Sequence, residues 1–147
     1  MKIGIIGAMD IEVEELINSM KDIKKETISN IDFYEGTLQG KNVVVAECGV
    51  GKVHAAVCTQ TMILKYAPNV IINTGVAGSL STELDIADIV ISDGVVQHDF
   101  DVSSFGKPVG LISGIDLIKI PCNEELVKKL KNDAKVLEDT NVVVGTV

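Results

Sequence analysis

The sequence contains no arginine, because all 13 of its basic residues are lysine. Arginine supplies the planar, two-pronged hydrogen bonding that clamps a phosphate group, so a guanidinium clamp on phosphate is excluded. The formal net charge is −8, and no basic stripe interrupts it. A surface of this charge repels nucleic acid, and we expect no nucleic-acid partner.

Cysteine is also scarce. The three cysteines, Cys48, Cys58 and Cys122, form no CxxC pair, and an odd number cannot all be bridged. This pattern indicates a reducing compartment. We therefore expect a cytoplasmic protein whose cysteines are small core residues.

Long apolar runs are absent. The opening run, MKIGIIGAM, is short, is broken by glycines and is followed by acidic residues, unlike a secretion signal. No run reaches the roughly 20 apolar residues that a membrane-spanning helix needs. We expect no membrane partner.

Short apolar runs instead alternate with amphipathic stretches, in a chain of 147 residues that is 46% hydrophobic. Five runs rich in valine and isoleucine predict strands buried on both faces. They span residues 3–8, 42–49, 69–75, 88–94 and 141–145. Helical stripes occupy residues 13–20, 55–66 and 126–134, and residues 31–38 alternate as the first arm of a hairpin. This order predicts one α/β domain over residues 1–147, with a mainly parallel or mixed central sheet and helices on both faces.

The last apolar run, NVVVGTV at residues 141–147, is followed by no helix. A parallel strand is normally covered on both faces, so this strand would leave apolar surface uncovered. We expect that the chain is the first part of a larger domain whose C-terminal part is absent.

Three predicted strands end in turns that lack large side chains: Gly7–Ala8, Gly49–Gly51 and Gly75–Gly78. The segment GVGKVH has histidine where GxGxxG needs its third glycine, and it does not match the P-loop pattern. Ligands bind at the C-terminal edge of parallel sheets, where bare turns let the main chain approach a flat ligand. Together the turns predict one ligand crevice, although any one of them could be merely a tight strand-to-helix turn.

Glu12 follows the first of these turns, in GAMDIEVEEL. We expect Asp10 to cap a helix there, which places Glu12 in its first turn and facing the crevice. The helix N-terminus favours the ionised carboxylate, while burial would raise its pKa, and the combination suits a general base near neutral pH. The alternative is an ordinary first-turn glutamate that compensates the helix dipole.

Four collinear segments carry a family resemblance: MKIGIIGAMDIEVEEL, GVGKVHAA, PNVIINTGVAGSL and DIVISDGVVQHDFDVSSFG. The chain resembles the nucleoside phosphorylase superfamily, and within it the 5′-methylthioadenosine/S-adenosylhomocysteine nucleosidases. The resemblance implies an α/β/α fold and hydrolysis of the N-glycosidic bond of these two adenine nucleosides, releasing adenine and a 5-thioribose. It implies no cofactor.

The resemblance also implies roles for single residues, with Glu12 activating the attacking water. The implied substrate-binding residues are Met9, Val50, Val76, Ala77, Gly78, Val102 and Phe105. Val76 stands where many relatives carry serine. Val102 and Phe105 match residues that reach into the neighbouring subunit's thio pocket, which implies a homodimer.

Two alternatives to nucleoside hydrolysis stay open. In the family, an aspartate late in the chain protonates the leaving purine, and this sequence contains no such segment. Because a general acid contributes typically about 10²- to 10⁴-fold, the chain could instead be a non-catalytic or vestigial nucleoside-binding fragment. The second alternative is a purine nucleoside phosphorylase, which the missing arginines disfavour.

A metal site is not expected. His98, Asp99 and Asp101 lie close together in QHDFD, but His98 and Asp99 would point in opposite directions along an extended segment. No second histidine group supports them, so interface or loop hydrogen bonding is the favoured interpretation.

Overall fold

The computed structural model describes residues 1–137 and 139–147. The chain divides into two compact units, Met1–Gly78 and Ser79–Val147. The first unit contains β1 (Lys2–Gly7), α1 (Asp10–Asn18), β2 (Lys21–Ile28), β3 (Ile31–Leu38), β4 (Lys41–Glu47), α2 (Lys52–Tyr66) and β5 (Val70–Asn73). The second contains β6 (Ile89–Val96), β7 (Lys119–Pro121), α3 (Glu124–Asp133), β8 (Val142–Thr146) and two short 3₁₀ turns, Ser103–Phe105 and Ala134–Val136.

The first unit is built on a mixed sheet of five strands in the order β2-β3-β4-β1-β5. β1 lies parallel to both β4 and β5, whereas β3 is antiparallel to β2 and β4. Gly7 pairs with Glu47, and Ile6 pairs with Asn73. The three parallel strands therefore end at the same edge of the sheet, and the turns that follow them lie side by side.

Alternation along β1 and β4 divides the core of this unit into two clusters, because successive side chains of a strand point to opposite faces. The cluster that includes α1 comprises Ile5, Val13, Met20, Val43 and Val45. The cluster that includes α2 comprises Ile6, Ile31, Phe33, Val44, Ala46, Cys48, Cys58, Met62 and Tyr66. The prediction of a mixed sheet with a helix on each face is confirmed for this unit.

The second unit contains a three-stranded sheet in the order β7-β6-β8. β6 is parallel to β8 and antiparallel to β7. Asn123 caps α3, since its side-chain oxygen accepts a hydrogen bond from the Leu126 N–H at 3.0 Å. Cys122, expected to be a core residue, is only half-buried, whereas Cys48 and Cys58 are buried as expected.

Three sequence expectations need correction. β5 and β8 contain no buried residue, so burial on both faces holds for β1 and β4 and not for every predicted strand. α1 ends at Asn18, and Met20 lies beyond it while still packing in the core. β2 was not predicted, because its sequence KDIKKETI is polar and exposed.

Strand β2 pairs with β3 along its length, and Glu26 adds contacts with α2 that the local sequence does not predict. Glu26 pairs with Lys65 of α2 at 2.8 Å, and its other carboxylate oxygen accepts the Tyr66 hydroxyl at 3.2 Å. The Tyr66 ring in turn packs on Phe33, with 5.4 Å between the ring centroids.

Along the described parts of the chain, no helix is both long enough and apolar enough to cross a membrane.

Met62 provides a test of the α2 core. Its side chain is fully buried, and we expect Met62→Ala to lower the free energy of unfolding by about 2–5 kcal/mol, because it removes apolar contacts and leaves a cavity. The matched control is Gln60→Ala on the exposed face of the same helix, which should change stability by less than about 0.5 kcal/mol. Urea unfolding measures both, and equal losses in the two variants would contradict this packing.

Candidate active site

Helix α1 begins differently from the expectation. The N-cap is Met9, with extended backbone at φ −127° and ψ 155°, and Asp10 is the first helical residue. The Asp10 side chain accepts the adjacent Ile11 N–H, at 2.7 Å. Glu12, three residues after the N-cap, satisfies the Met9 N–H instead, which is the reciprocal half of a capping box.

The Glu12 carboxylate accepts three main-chain hydrogen bonds from two separate turns. Its Oε2 accepts the N–H groups of Ala8, at 2.7 Å, and Met9, at 3.0 Å. Its Oε1 accepts the N–H of Val76, at 2.9 Å. Ala8 and Met9 follow β1, and Val76 follows β5, so the carboxylate joins the turns after two neighbouring strands. An ordinary first-turn glutamate makes no such long-range contact.

These hydrogen bonds make the pKa of Glu12 lower than the sequence led us to expect. The Val76 N–H is the largest influence and lowers the pKa of Glu12. Partial burial opposes it, and the N–H groups of Met9 and Ala8 add to the lowering, so the net pKa lies below its usual value. Burial does not bring the group close to neutral pH, because the charged form is hydrogen-bonded. The carboxylate is therefore ionised at neutral pH.

Gly7 allows α1 to start close above the end of β1. A Cβ atom at this position would lie 2.6 Å from Val13 Cγ1 and 3.1 Å from Glu12 Cβ. Both distances are shorter than ordinary van der Waals contact. Close packing therefore explains the glycine at position 7, and the same packing positions Glu12.

The turn after β4 lies beside the end of β1, because the Cys48 N–H donates to the Gly7 carbonyl at 2.8 Å. Gly49 and Gly51 have φ values of 86° and 107°, which strongly favour glycine. Val50 between them is 71% exposed. Its carbonyl oxygen lies 3.0 Å from Nδ1 of His54, so the histidine holds this turn.

The turn after β5 contributes its main chain. Val76 donates its N–H to Glu12 while its side chain is 78% exposed. Ala77 and Gly78 are also exposed. The structure thus joins Met9, Glu12 and Val76 through direct hydrogen bonds and leaves the surfaces of Ala77 and Gly78 open.

Val102 and Phe105 belong to the second unit. Val102 precedes the 3₁₀ turn Ser103–Phe105 and is half-buried. Asp101, the residue before Val102, accepts the Ser103 N–H at 2.8 Å, which fits the favoured loop role for this aspartate. Phe105 is 83% exposed.

A cleft of about 750 Å³ in the first unit was not predicted. Its lining includes Val13, Tyr34, Cys48, His54 and Val57. Burial raises the pKa of the Cys48 thiol, and the negative charge of Glu12 contributes to the same direction. Because its walls come from α1, β3, α2 and the turn after β4, only the fold assembles this cleft; of its lining, Gly49 belongs to one of the bare turns that the sequence showed.

The ionised and partly accessible Glu12 carboxylate thus lies among peptide groups that no large side chain covers, at the C-terminal edge of the parallel strands. Such a group can take a proton from a bound water molecule. It can also stabilise a positive charge that develops on a nearby ligand. The open turns let a flat ligand lie against the main chain.

Comparison with known proteins gives consistent matches. The family model described as "Phosphorylase superfamily" matches residues 2–147. A 5′-methylthioadenosine/S-adenosylhomocysteine nucleosidase of Shewanella halifaxensis (strain HAW-EB4) is 44% identical over all 147 residues, and the chain spans 64% of that relative's length.

Two solved structures are similar over 99% of the chain. The Neisseria meningitidis nucleosidase of the same name, in complex with methylthio-immucillin-A, has a TM-score of 0.94 at 35% identity, and 62% of it is covered. The Colwellia psychrerythraea enzyme, in complex with adenine, has a TM-score of 0.95 at 34% identity, and 60% of it is covered.

The lowered pKa of Glu12 predicts a pH-dependent contribution to stability. A carboxylate whose folded pKa lies below its unfolded value of 4.5 stabilises the fold above that pH and loses this contribution as the pH falls through the folded pKa. We expect Glu12→Gln to be less stable than the native chain at pH 7, with the difference shrinking as the pH falls below 4.5. Urea unfolding across this range, with the exposed Glu15→Gln as control, measures it. A difference that grows on acidification would contradict the hydrogen-bonding arrangement.

Proposed function

The chain belongs to the phosphorylase superfamily, and from this membership we propose that it hydrolyses the N-glycosidic bond of 5′-methylthioadenosine and S-adenosylhomocysteine. The products are adenine and the corresponding 5-thioribose. The observation that carries the proposal is the Glu12 carboxylate, held by the N–H groups of Ala8, Met9 and Val76 at the edge where the parallel strands end.

The proposed reaction uses Glu12 at the anomeric carbon of the ribose. As the bond to adenine breaks, its electron pair leaves with the purine, which takes up a proton from solvent to become adenine, and positive charge develops on the sugar. The ionised carboxylate stabilises this charge and takes a proton from the attacking water, whose oxygen bonds to the anomeric carbon. Its lowered pKa keeps Glu12 in the charged form that both roles require.

The binding residues are assigned from the resemblance to the nucleosidases. Met9 lines the ribose, and Val50 packs in the alkylthio and ribose region. Val76, Ala77 and Gly78 meet the base and sugar, where main chain rather than side chain supplies the surface. The exposure of Val50 and Val76 supports this assignment. So do the adenine and methylthio-immucillin-A that the two similar structures contain.

Hydrolysis is favoured over phosphorolysis by composition. A phosphorylase must hold inorganic phosphate against the sugar, and a planar guanidinium group suits that task. All 13 basic residues of this chain are lysine. Water is therefore the proposed nucleophile.

We further propose a homodimer in the cytoplasm. Val102 and Phe105 would extend into the partner subunit's alkylthio region. Phe105, at 83% exposure, is a large aromatic side chain of the kind that interfaces cover. The cysteines of the described chain are free thiols, which fits a reducing compartment.

Adenine release from 5′-methylthioadenosine tests the activity. We expect the 147-residue chain to release adenine without added phosphate. Glu12→Gln should lower the rate by at least about 100-fold, because general-base catalysis contributes typically about 10²- to 10⁴-fold. Glu15→Gln, exposed on the same helix, is the matched control.

The outcomes separate the alternatives. Dependence of turnover on added phosphate would identify a phosphorylase. Binding of adenine by the folded chain without any turnover would identify a non-catalytic nucleoside-binding fragment. Near-native turnover by Glu12→Gln would reject the base role.

Complementation tests the homodimer. Glu12→Gln and Phe105→Ala are each expected to be poorly active, since one lacks the base and the other lacks the side chain lent to the partner. In co-refolded mixtures, half of the dimers combine the two variants, and each of these contains one native site, so activity should return to about a quarter of the native value. Absence of recovery in a mixture that forms dimers would contradict a shared site.

A further inference from the structure

The glycine at position 75 is not required by the backbone conformation. Glycine is needed where φ is positive, in the left-handed region. Gly75 is absent from the positive-φ residues of the described chain, which include Gly49 and Gly51. Some other constraint must therefore account for the missing side chain.

The space beside Gly75 is occupied by Glu12. A Cβ atom on residue 75 would lie 2.7 Å from Glu12 Cδ and 3.0 Å from Oε2, and it would collide with Oε1. Gly78, three residues further along the same turn, differs completely, because a Cβ there would meet nothing within 4 Å. Within this turn, the crowding is thus specific to the position that faces the carboxylate.

The carboxylate cannot move aside without losing hydrogen bonds. Oε2 is held by Ala8 and Met9, and Oε1 is held by the N–H of the peptide that links Gly75 to Val76. The same peptide therefore donates to the carboxylate and must approach it closely. On the other side of Glu12, a Cβ atom added at Gly7 would lie 3.1 Å from the Glu12 Cβ, so glycines border this side chain on two sides.

We propose that Gly75 is a positioning residue for Glu12: its missing side chain lets the carboxylate reach the Val76 N–H. The inference that Gly75 matters for catalysis rests on the proposed function. The inference that Gly75 sets the position of Glu12 does not. Adding a methyl group at position 75 displaces Oε1 from Val76 and breaks the bond that joins the two turns. Glu12 then loses both its fixed position and its largest pKa-lowering contact.

The first test is the titration of Glu12, followed by NMR of its carboxyl carbon. Gly75→Ala should raise the Glu12 pKa relative to the native chain. Gly78→Ala, which adds the same methyl group in open space, should leave it unchanged. An unchanged titration in Gly75→Ala would overturn the proposal. This titration does not require turnover, so the test is valid even if the chain lacks the proposed activity.

The second test is a double-mutant cycle followed by urea unfolding. Gly75→Ala should lower the urea midpoint of the native chain, whereas in a Glu12→Ala background it should lower the midpoint little or not at all, because the colliding carboxylate is gone. Gly78→Ala controls for the general effect of replacing glycine on the unfolded chain. If Gly75→Ala alone fails to fold, folding of the double variant still supports the proposal. Equal losses in both backgrounds would overturn it.

The third test connects the geometry to the proposed reaction. In a chain that releases adenine, Gly75→Ala should reduce kcat by about 100-fold, the effect of a displacement near 1 Å at a reacting group. The pH profile of kcat/KM should shift in the same direction as the Glu12 titration. A native pH profile in Gly75→Ala would overturn the proposal. Loss of activity in the native chain itself would instead reject only the proposed function.

Discussion

The first unit depends on one carboxylate held by main-chain donors from two turns. Glu12 accepts hydrogen bonds from Ala8 and Met9 after β1 and from Val76 after β5. An ionised oxygen makes stronger hydrogen bonds than a neutral one. The interaction therefore fixes the two turns to each other, while it keeps the side chain charged and in a defined place. The same three hydrogen bonds thus join the turns and keep the Glu12 carboxylate charged.

This arrangement is possible because parallel pairing brings the strand ends together. β1 lies between β4 and β5, and all three run in the same direction. Helices leave from the ends of β1 and β4 on opposite faces of the sheet, which frees the edge between them. Bare turns at that edge leave peptide groups open, and the Glu12 carboxylate lies among them with its negative charge. The proposed nucleoside hydrolysis requires these two features together.

Glycine serves two different purposes at this edge. In the turn after β4, Gly49 and Gly51 adopt positive φ values, so the backbone conformation itself favours glycine. At positions 7 and 75, glycine is explained by what lies next to it, since added methyl groups would meet Val13 and Glu12. The same residue type thus shapes one turn through its dihedral freedom and the other two through space.

The sequence alone determined the parts of the protein that depend on local pattern. Runs of valine and isoleucine predicted β1, β4, β5, β6 and β8, because β-branched side chains favour strands, and apolar residues at helical spacing predicted α1, α2 and α3. Glu12 and the three bare turns were also visible in the chain. Only the tertiary structure decided the rest. The polar strand β2 is held by its pairing with β3 and by contacts of Glu26 with α2, and the N–H of Val76, 64 residues away in sequence, has the largest effect on the Glu12 pKa. Such interactions depend on which atoms the fold brings within hydrogen-bonding distance, and no local period in the sequence records that distance.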